Sequence, residues 1–599
     1  MQKTNHGGGS PYLRGLTGYH TLLLIDGIRF NNTTFRSGPN QYLNTIDPLM
    51  TDRIETIRGQ GSVQYGSDAI GGVVHILSKK PQFSFTGLDW TGKLYTKFLS
   101  SNMESTGRVS LGMSAERTAF SAGYTSKKLG DIKAGGNLGT LEPTGYDENS
   151  IDFKLLQKIT PKQILTIAYQ RHSQKHVPLY HQIVSGEYEL YHFDKQERDL
   201  AYIKWDFATN SKMFKEVRFI QSLQHTLERR SKRKTNEVIT QKDEDKVTTI
   251  GTVVEIISNA TPTWSISSGV DFYYDKVLSS TSEHSNINPT KNYRGLYPDN
   301  SSDMSFAAFS LHTVELRRFN LSFGGRYDAT WLEIDDAIFG ETIISPTALV
   351  GNASLVYKLN SKVNLTGLVN TGFRAPNLND VSSFGIADFR YEVPNFDLEP
   401  EKSISLEVGV KSNADRFSSN FYLFRTDLKD LIANVPATYN NQNTIDGVQV
   451  YQRENVGNAV IYGIESDIEY LLTSTIYIRG NINYTFGKNI NSGKPMRRIP
   501  PLYGSADISY DTNFKVRIFA RWSFAGKQDR LSPGDIADNR IAVDGTNGWN
   551  NFDLSVHYLR NHFQIQTGIN NLFDEGYRMH GSGVDGIGRS FWLSLVLNK

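Results

Sequence analysis

The sequence contains no cysteine, so neither a disulfide framework nor a thiolate metal centre is available to it. No run approaches the roughly 18 consecutive apolar residues that a membrane-crossing helix needs, and mean hydropathy is −0.41. A helical membrane protein is thereby excluded. A membrane barrel is not, because its strands alternate polar and apolar side chains and read as hydrophilic on average. Charge of one sign is also missing: 64 basic residues against 62 acidic ones leave a net charge of +2. That balance offers no concentrated basic face for nucleic acid. The opening MQKTNHGGGSPYLRG has no apolar core of an export signal. GxSxG and HExxH patterns are absent, which removes the usual starting points for a hydrolase, and the chain reads as a non-enzyme.

What is present is glycine (51 residues), tyrosine (30) and phenylalanine (32) in a chain of 599, too long for one ordinary soluble core. The texture changes once. Residues 1–82 hold short apolar runs punctuated by glycine, TLLLIDGIRF at 21–30, DRIETIRG at 52–59 and AIGGVVHILSKKP at 69–81, which predict short strands joined by tight turns. From residue 83 to 599 the chain is a long series of alternating segments. In 514–522, Phe514, Val516, Ile518, Ala520 and Trp522 share one face and Lys515, Arg517, Phe519 and Arg521 the other. The segments 476–486 and 563–569 alternate in the same way, one face suited to lipid and the other to a wet lumen.

Connections alternate too. Short polar turns near 115–117, 359–362, 413–416 and 511–513 intersperse with long loops near 128–149, 177–198, 229–247, 374–402, 428–459 and 573–588. The tally is about 22 segments, an even number as bacterial barrels require, and barrels of that size enclose a plugged lumen. The expected fold is therefore an all-β membrane protein, an antiparallel transmembrane barrel over 83–599 with a plug domain over 1–82 inside it. Both chain ends are expected on the short-turn side. No sequence repeat accompanies the strands, which argues against a propeller or solenoid.

RGLTGYHTLLLIDGIRF at 14–30 and RIETIRGQGSVQYGSDAIGGVVHILSKKP at 53–81 resemble the second half of the plug of TonB-dependent receptors. NNLFDEGY at 570–577 and GRSFWLSLVL at 588–597 resemble that family's last barrel strands, so the likeness spans the whole chain. The resemblance implies a plugged, monomeric barrel in the outer membrane of a Gram-negative bacterium, surrounded by lipid, with long loops extracellular and both termini periplasmic. It implies import of a scarce ligand powered by the inner-membrane TonB complex, with no intrinsic cofactor. The plug front and the TonB-contacting segment are expected to precede Met1. His75 stands where the family usually has Asn, and Lys599 ends the chain where an aromatic is common, Phe591 and Trp592 being nearest.

Within that resemblance, Arg14 and Arg58 of the plug face carboxylates that match Glu407 and Glu465. Alternation supports the match independently: with Ile404, Leu406, Val408 and Val410 on the lipid face, Glu407 points into the lumen, and Glu465 does the same beside Ile464. A guanidinium and a carboxylate pair through two parallel hydrogen bonds, which would fix the plug's orientation.

The ligand is expected to be an iron complex, haem or a ferric siderophore, delivered free or by a carrier protein. Cobalamin or another large chelate is the alternative within the family, and a surface binding barrel that does not transport is the alternative outside it. TGFRAPNLND at 371–380 and VPNFDLEPEKS at 393–403 resemble the FRAP…NPNL region of haem receptors, which places Arg374 and Tyr391 among the candidate ligand contacts. His172, His176, His181 and His192 cluster around HVPLYHQ, imidazole being a common haem ligand. Tyr180, Tyr188 and Tyr191 offer rings for stacking on a flat ligand.

Overall fold

The computed structural model describes residues 2–599 except 39, 41, 60, 210, 212–213, 286–288 and 388–389; Met1 lies outside them. Twenty-two antiparallel strands, from Asp89–Leu99 to Ser590–Asn598, close into one barrel. The closing seam pairs Trp592 with Leu99 and Asn598 with Lys93. No described helix is long and apolar enough to cross a membrane.

The lipid-facing belt follows from two-residue alternation. In Glu401–Ala414, Ile404, Leu406, Val408 and Val410 are all exposed while Ser403 and Ser405 are buried against the lumen. Ile482, Tyr484, Ile518, Trp522, Leu554 and Val556 continue the belt across neighbouring strands. Phe514, expected in a strand, lies instead in the turn before Val516–Ala525.

Two expectations need correction. The segments 177–198, 229–247 and 428–459 are mostly strand: Tyr188–Ala208 runs 21 residues and Val448–Leu471 runs 24, where about 9–11 suffice to cross a bilayer. Above the belt the outer face meets water and carries polar side chains, so the apolar–polar alternation fades from the sequence while the hydrogen-bonded ladder continues, with cross-strand pairs such as Arg229 with Glu244. Second, only the C-terminus lies at the short-turn end, where Lys599 N–H donates to Gly92. The N-terminal segment reaches the long-loop end. Lys3 N–H donates to Ser582 Oγ at 3.1 Å, Gly583 N–H donates to the Lys3 carbonyl, and Thr4 C=O meets His181 at 3.2 Å.

The plug is a four-stranded sheet of β1 (Thr21–Ile25), β2 (Ile28–Arg29), β3 (Thr51–Arg58) and β4 (Gly72–Ser78) in the order β2-β1-β4-β3. After Thr21, β1 is apolar throughout because it is covered on both faces: Leu23 and Ile25 pack with Phe30, Met50 and Ile76 against Ala168, Leu200 and Ile220 of the barrel wall. Leu22 and Leu24 pack on Ala69 and Val73 behind it. The first barrel strand begins at Asp89, after a linker in which Lys158 lies over the Phe83 ring at 4.1 Å.

Candidate functional site

Plug and wall meet through charges brought in by alternation. Arg14, buried and in a left-handed conformation (φ 52°), donates from Nε to Glu465 Oε1 at 3.2 Å and from Nη2 to Glu465 Oε2 at 2.8 Å and Glu407 Oε2 at 2.5 Å. Its guanidinium also lies over the Phe424 ring at 4.1 Å. Arg58 is more peripheral, 4.0 Å from Glu465 and 3.3 Å from Asp467. The structure thus places Arg14, Arg58, Glu407 and Glu465 in one cluster and adds Asp467.

Two motif glycines are explained by this docking. A Cβ on Gly59 (φ +82°) would stand 2.8 Å from Arg14 Nη1, and one on Gly66 (φ +90°) would stand 2.7 Å from Arg326 Nη2. The IRG and YG elements keep room for arginines that arrive from elsewhere in the chain.

A second buried chain of charges joins the plug to the long-loop end. His20 Nε2 is 2.7 Å from Glu401 Oε2, and Arg374 donates from Nε to Glu401 at 2.7 Å and from Nη1 to Asp380 at 2.5 Å. The guanidinium of Arg374 stacks on the plug ring of Tyr19 at 3.8 Å, and burial pushes the Tyr19 phenol well above its ordinary pKa. Asp380 caps the short helix Leu378–Ser382 with Asn377 and faces Arg453 at 3.8 Å; Arg453 in turn meets Glu392 at 3.1 Å. Further plug–wall pairs are Asp26 with Lys154, Asp47 with Arg108 and Lys127, and Arg36 with Glu228. Burial raises the Asp26 carboxyl, but Lys154 and hydrogen bonds from Ser78 and Tyr202 outweigh it and hold the pKa below the usual range.

Above the plug apex a cavity of about 310 Å³ opens at the long-loop end. Arg36 from the plug and Arg230, Lys232, Arg294, Arg390 and Arg453 from the wall line it, against only two carboxylates, Asp243 and Glu392. Tyr191, Tyr293 and Phe384 supply rings. Buried donors in this lining, Arg230 Nε, Arg390 Nε, Arg453 Nη1 and Asn379 Nδ2, have no hydrogen-bond partner among the described residues. Tyr391 stands one ring behind, 5.6 Å from Phe384 and 6.3 Å from Tyr439.

The histidines do not converge. His172 is buried in the wall against Ser150 Oγ at 2.9 Å, and His181 is buried against Thr4. His176 and His192 are neighbours, ring centroids 6.2 Å apart, with His192 on Asp194 at 2.8 Å. Because Phe193 pairs with the cavity-lining Arg230, alternation turns His192 to the outer face. Tyr188 and Tyr191 pair with each other at 4.9 Å, and Tyr180 lies on the helix Tyr180–Val184. Arg374, a candidate ligand contact by sequence, is fully buried beneath the cavity floor. The cavity arginines went unnoticed in the sequence because they come from four separate long connections and strand ends. The same parity test that turned Glu407 inward would have turned Arg230 and Lys232 inward.

Two family models match the chain: the TonB dependent receptor-like β-barrel over residues 180–572 and the TonB-dependent receptor plug domain over residues 1–73. The iron-regulated outer membrane virulence protein of Vibrio cholerae serotype O1 is 25% identical over 628 residues, covering 97% of this chain and 85% of that protein. The ferric enterobactin receptor of Pseudomonas aeruginosa is 22% identical over 678 residues, covering 98% and 86%. Among solved structures, the copper transporter OprC superposes with a TM-score of 0.85 at 17% identity, over 99% of this chain and 95% of that one. The FrpB iron transporter from Neisseria meningitidis (F5-1 variant, apoprotein form) gives 0.79 at 14%, over 99% and 94%. At these identities the structural likeness speaks for the fold.

Proposed function

Taking as premise that this chain belongs to the TonB-dependent receptor family, we propose that it captures an anionic ferric chelate of the siderophore class and delivers it across the outer membrane. In this reading the long loops face outward, the barrel acts as a monomer, and the TonB complex pulls from the short-turn end. The observation that carries the ligand class is the cavity over the plug apex: six cationic side chains against two carboxylates, with aromatic rings between them. Each of these arginines has a carboxylate within ion-pair range, yet Arg230 Nε, Arg390 Nε and Arg453 Nη1 make no hydrogen bond among the described residues, and a chelate rich in anionic oxygens supplies acceptors for them. Relatives named for iron regulation and for ferric enterobactin support the same class. Among the described residues no histidine lines the cavity, so none of them offers an axial imidazole for haem there.

Equilibrium binding of a ferric tris-catecholate, a neutral ferric hydroxamate, haemin and cobalamin to the detergent-folded protein tests the reading. The anionic chelate is expected to bind best, to weaken with added salt, and to lose about tenfold in each of Arg390→Ala and Arg453→Ala, the equivalent of ~1.4 kcal/mol. Preferential binding of haemin or cobalamin, untouched by either substitution, would overturn it.

A further inference from the structure

Arg198 is a buried cation without a carboxylate of its own. It projects from Tyr188–Ala208 into the barrel and is 1% exposed. Its Nε donates to the Thr45 carbonyl of the plug at 3.2 Å and its Nη2 to Gln170 Oε1 at 3.4 Å, both neutral oxygens. Nη1 has no hydrogen-bond partner among the described residues. A guanidinium keeps its proton at physiological pH, so neutralisation cannot relieve the burial. A charge held in this way is costly unless an opposite charge reaches it.

Arg198 lines a space of about 60 Å³ between plug and wall, and the three carboxylates of that lining are engaged elsewhere. Glu228 accepts from Arg36 at 3.0 and 3.1 Å and stands 3.4 Å from Arg230. Asp245 accepts from Arg230 at 3.1 Å and from Ser279 at 2.6 Å. Alternation turns Glu197 to the other face of its strand, where it meets Arg171 at 2.6 Å and Lys195 at 2.8 Å.

Other donors face the same space. Gln196 lies two residues from Arg198 on the same side of the strand, and neither its Oε1 nor its Nε2 has a partner among the described residues. Thr226 stands directly across the ladder from Arg198. Its Oγ1 already accepts from Asn32 Nδ2 at 3.3 Å, which leaves the hydroxyl to donate. Phe30 and Phe35 of the plug add apolar walls, the Phe30 ring centroid 5.6 Å from the Arg198 guanidinium carbon.

We propose that this space binds a monovalent inorganic anion of halide size, such as chloride, held by Arg198 Nη1, Gln196 Nε2 and the Thr226 hydroxyl. The volume admits a small ion with little water and excludes a chelate. One unmatched positive charge beside aromatic walls suits a single, weakly hydrated negative charge better than a divalent oxyanion. Because Arg198 also holds the Thr45 carbonyl, the anion fixes the turn Tyr42–Thr45 of the plug against the wall. The site shares Arg36 with the cavity above it, but the inference does not depend on which ligand that cavity takes.

Crystals of the full chain soaked in graded sodium bromide, with diffraction recorded at the bromine edge, provide the test. An anomalous peak in contact with Arg198 Nη1 and Gln196 Nε2 is expected, and it should vanish in Arg198→Met. In solution, amide exchange across 42–47 is expected to quicken severalfold when gluconate replaces chloride at equal ionic strength, in the unaltered chain but not in the variant. Should Arg198→Met fail to close its barrel, judged by heat-modifiable gel mobility, Gln196→Leu is read instead, with bromide occupancy expected to fall severalfold. No peak in the unaltered chain would mean that water fills the space, and a peak only in molar bromide would mean an adventitious ion only; either overturns the proposal. Displacement of bromide by equimolar sulfate, or exchange indifferent to the anion, would overturn it as well.

Discussion

Nε2 of His20 and Oε2 of Glu401 stand 2.7 Å apart across the boundary between plug and barrel. The same carboxylate also accepts from Arg374 and, through its other oxygen, from the Ile432 backbone N–H at 2.8 Å. One fully buried glutamate therefore ties a plug residue, the cavity floor and a wall strand together.

Arg374→Ala leaves Asp380 and Glu401 buried without their shared cation, and both side chains are inaccessible. The expected cost is about 3–5 kcal/mol, seen as a lower urea midpoint for plug release while the barrel stays closed on gels. Arg374→Lys should rescue little, because a point ammonium cannot bridge two carboxylates as a planar fork does. A midpoint unchanged in Arg374→Ala would remove this residue from plug anchoring.

Glu465 holds Arg14 by two hydrogen bonds and Glu407 by one. Amide exchange across 53–75 should therefore quicken more in Glu465→Ala than in Glu407→Ala. Equal protection in both variants would show that the arginine latch does not set the docking of this part of the plug.

Gly66 combines a φ of 90° and a ψ of −151° with a guanidinium at its Cβ position. Gly66→Ala is expected to destabilise the plug by about 1–3 kcal/mol. In an Arg326→Ala background the steric part is relieved while the backbone strain stays, so rescue should be partial. Full rescue would mean that the arginine alone demands the glycine.

His6 sits edge-on to Tyr146 at 5.5 Å, and burial, helped by Lys3, lowers its pKa from 6.5 to about 4. The unfolded segment binds a proton between those values and the folded one does not, so stability rises with pH across that window. The contribution is whole above pH 6.5 and is lost as pH falls towards 4. Tryptic cleavage after Lys3 should be slow at neutral pH and speed up below 6, and His6→Gln should flatten the profile. A His6 midpoint near 6.5 by NMR would contradict the burial.

The barrel was legible because alternation is a local property: Ile404 to Val410 declare their face without reference to anything else in the chain. Strand ends were not legible, since the run Asp194–Asp199 in Tyr188–Ala208 is polar on both sides and only partner strands reveal pairing. The Arg14 cluster could be placed by parity together with family likeness, whereas Asp467 was missed because Arg58 leans two residues along the strand. The cavity was beyond reach for a different reason. Arg294, Arg390 and Arg453 come from widely separated segments, and only the closed ladder sets them around one space. The four histidines show the converse, being close in sequence but assigned by bulges and alternation to three different environments.

The wall of the barrel keeps its backbone hydrogen bonds beyond the bilayer, in strands as long as the 24 residues of Val448–Leu471. The mouth is therefore a stiff chimney, its main chain still paired with Phe417–Pro436 as far as Tyr451. Adaptation to a new cargo in such a tower proceeds by exchanging side chains on fixed rungs, which leaves membrane insertion, plug seating and the force-bearing path untouched.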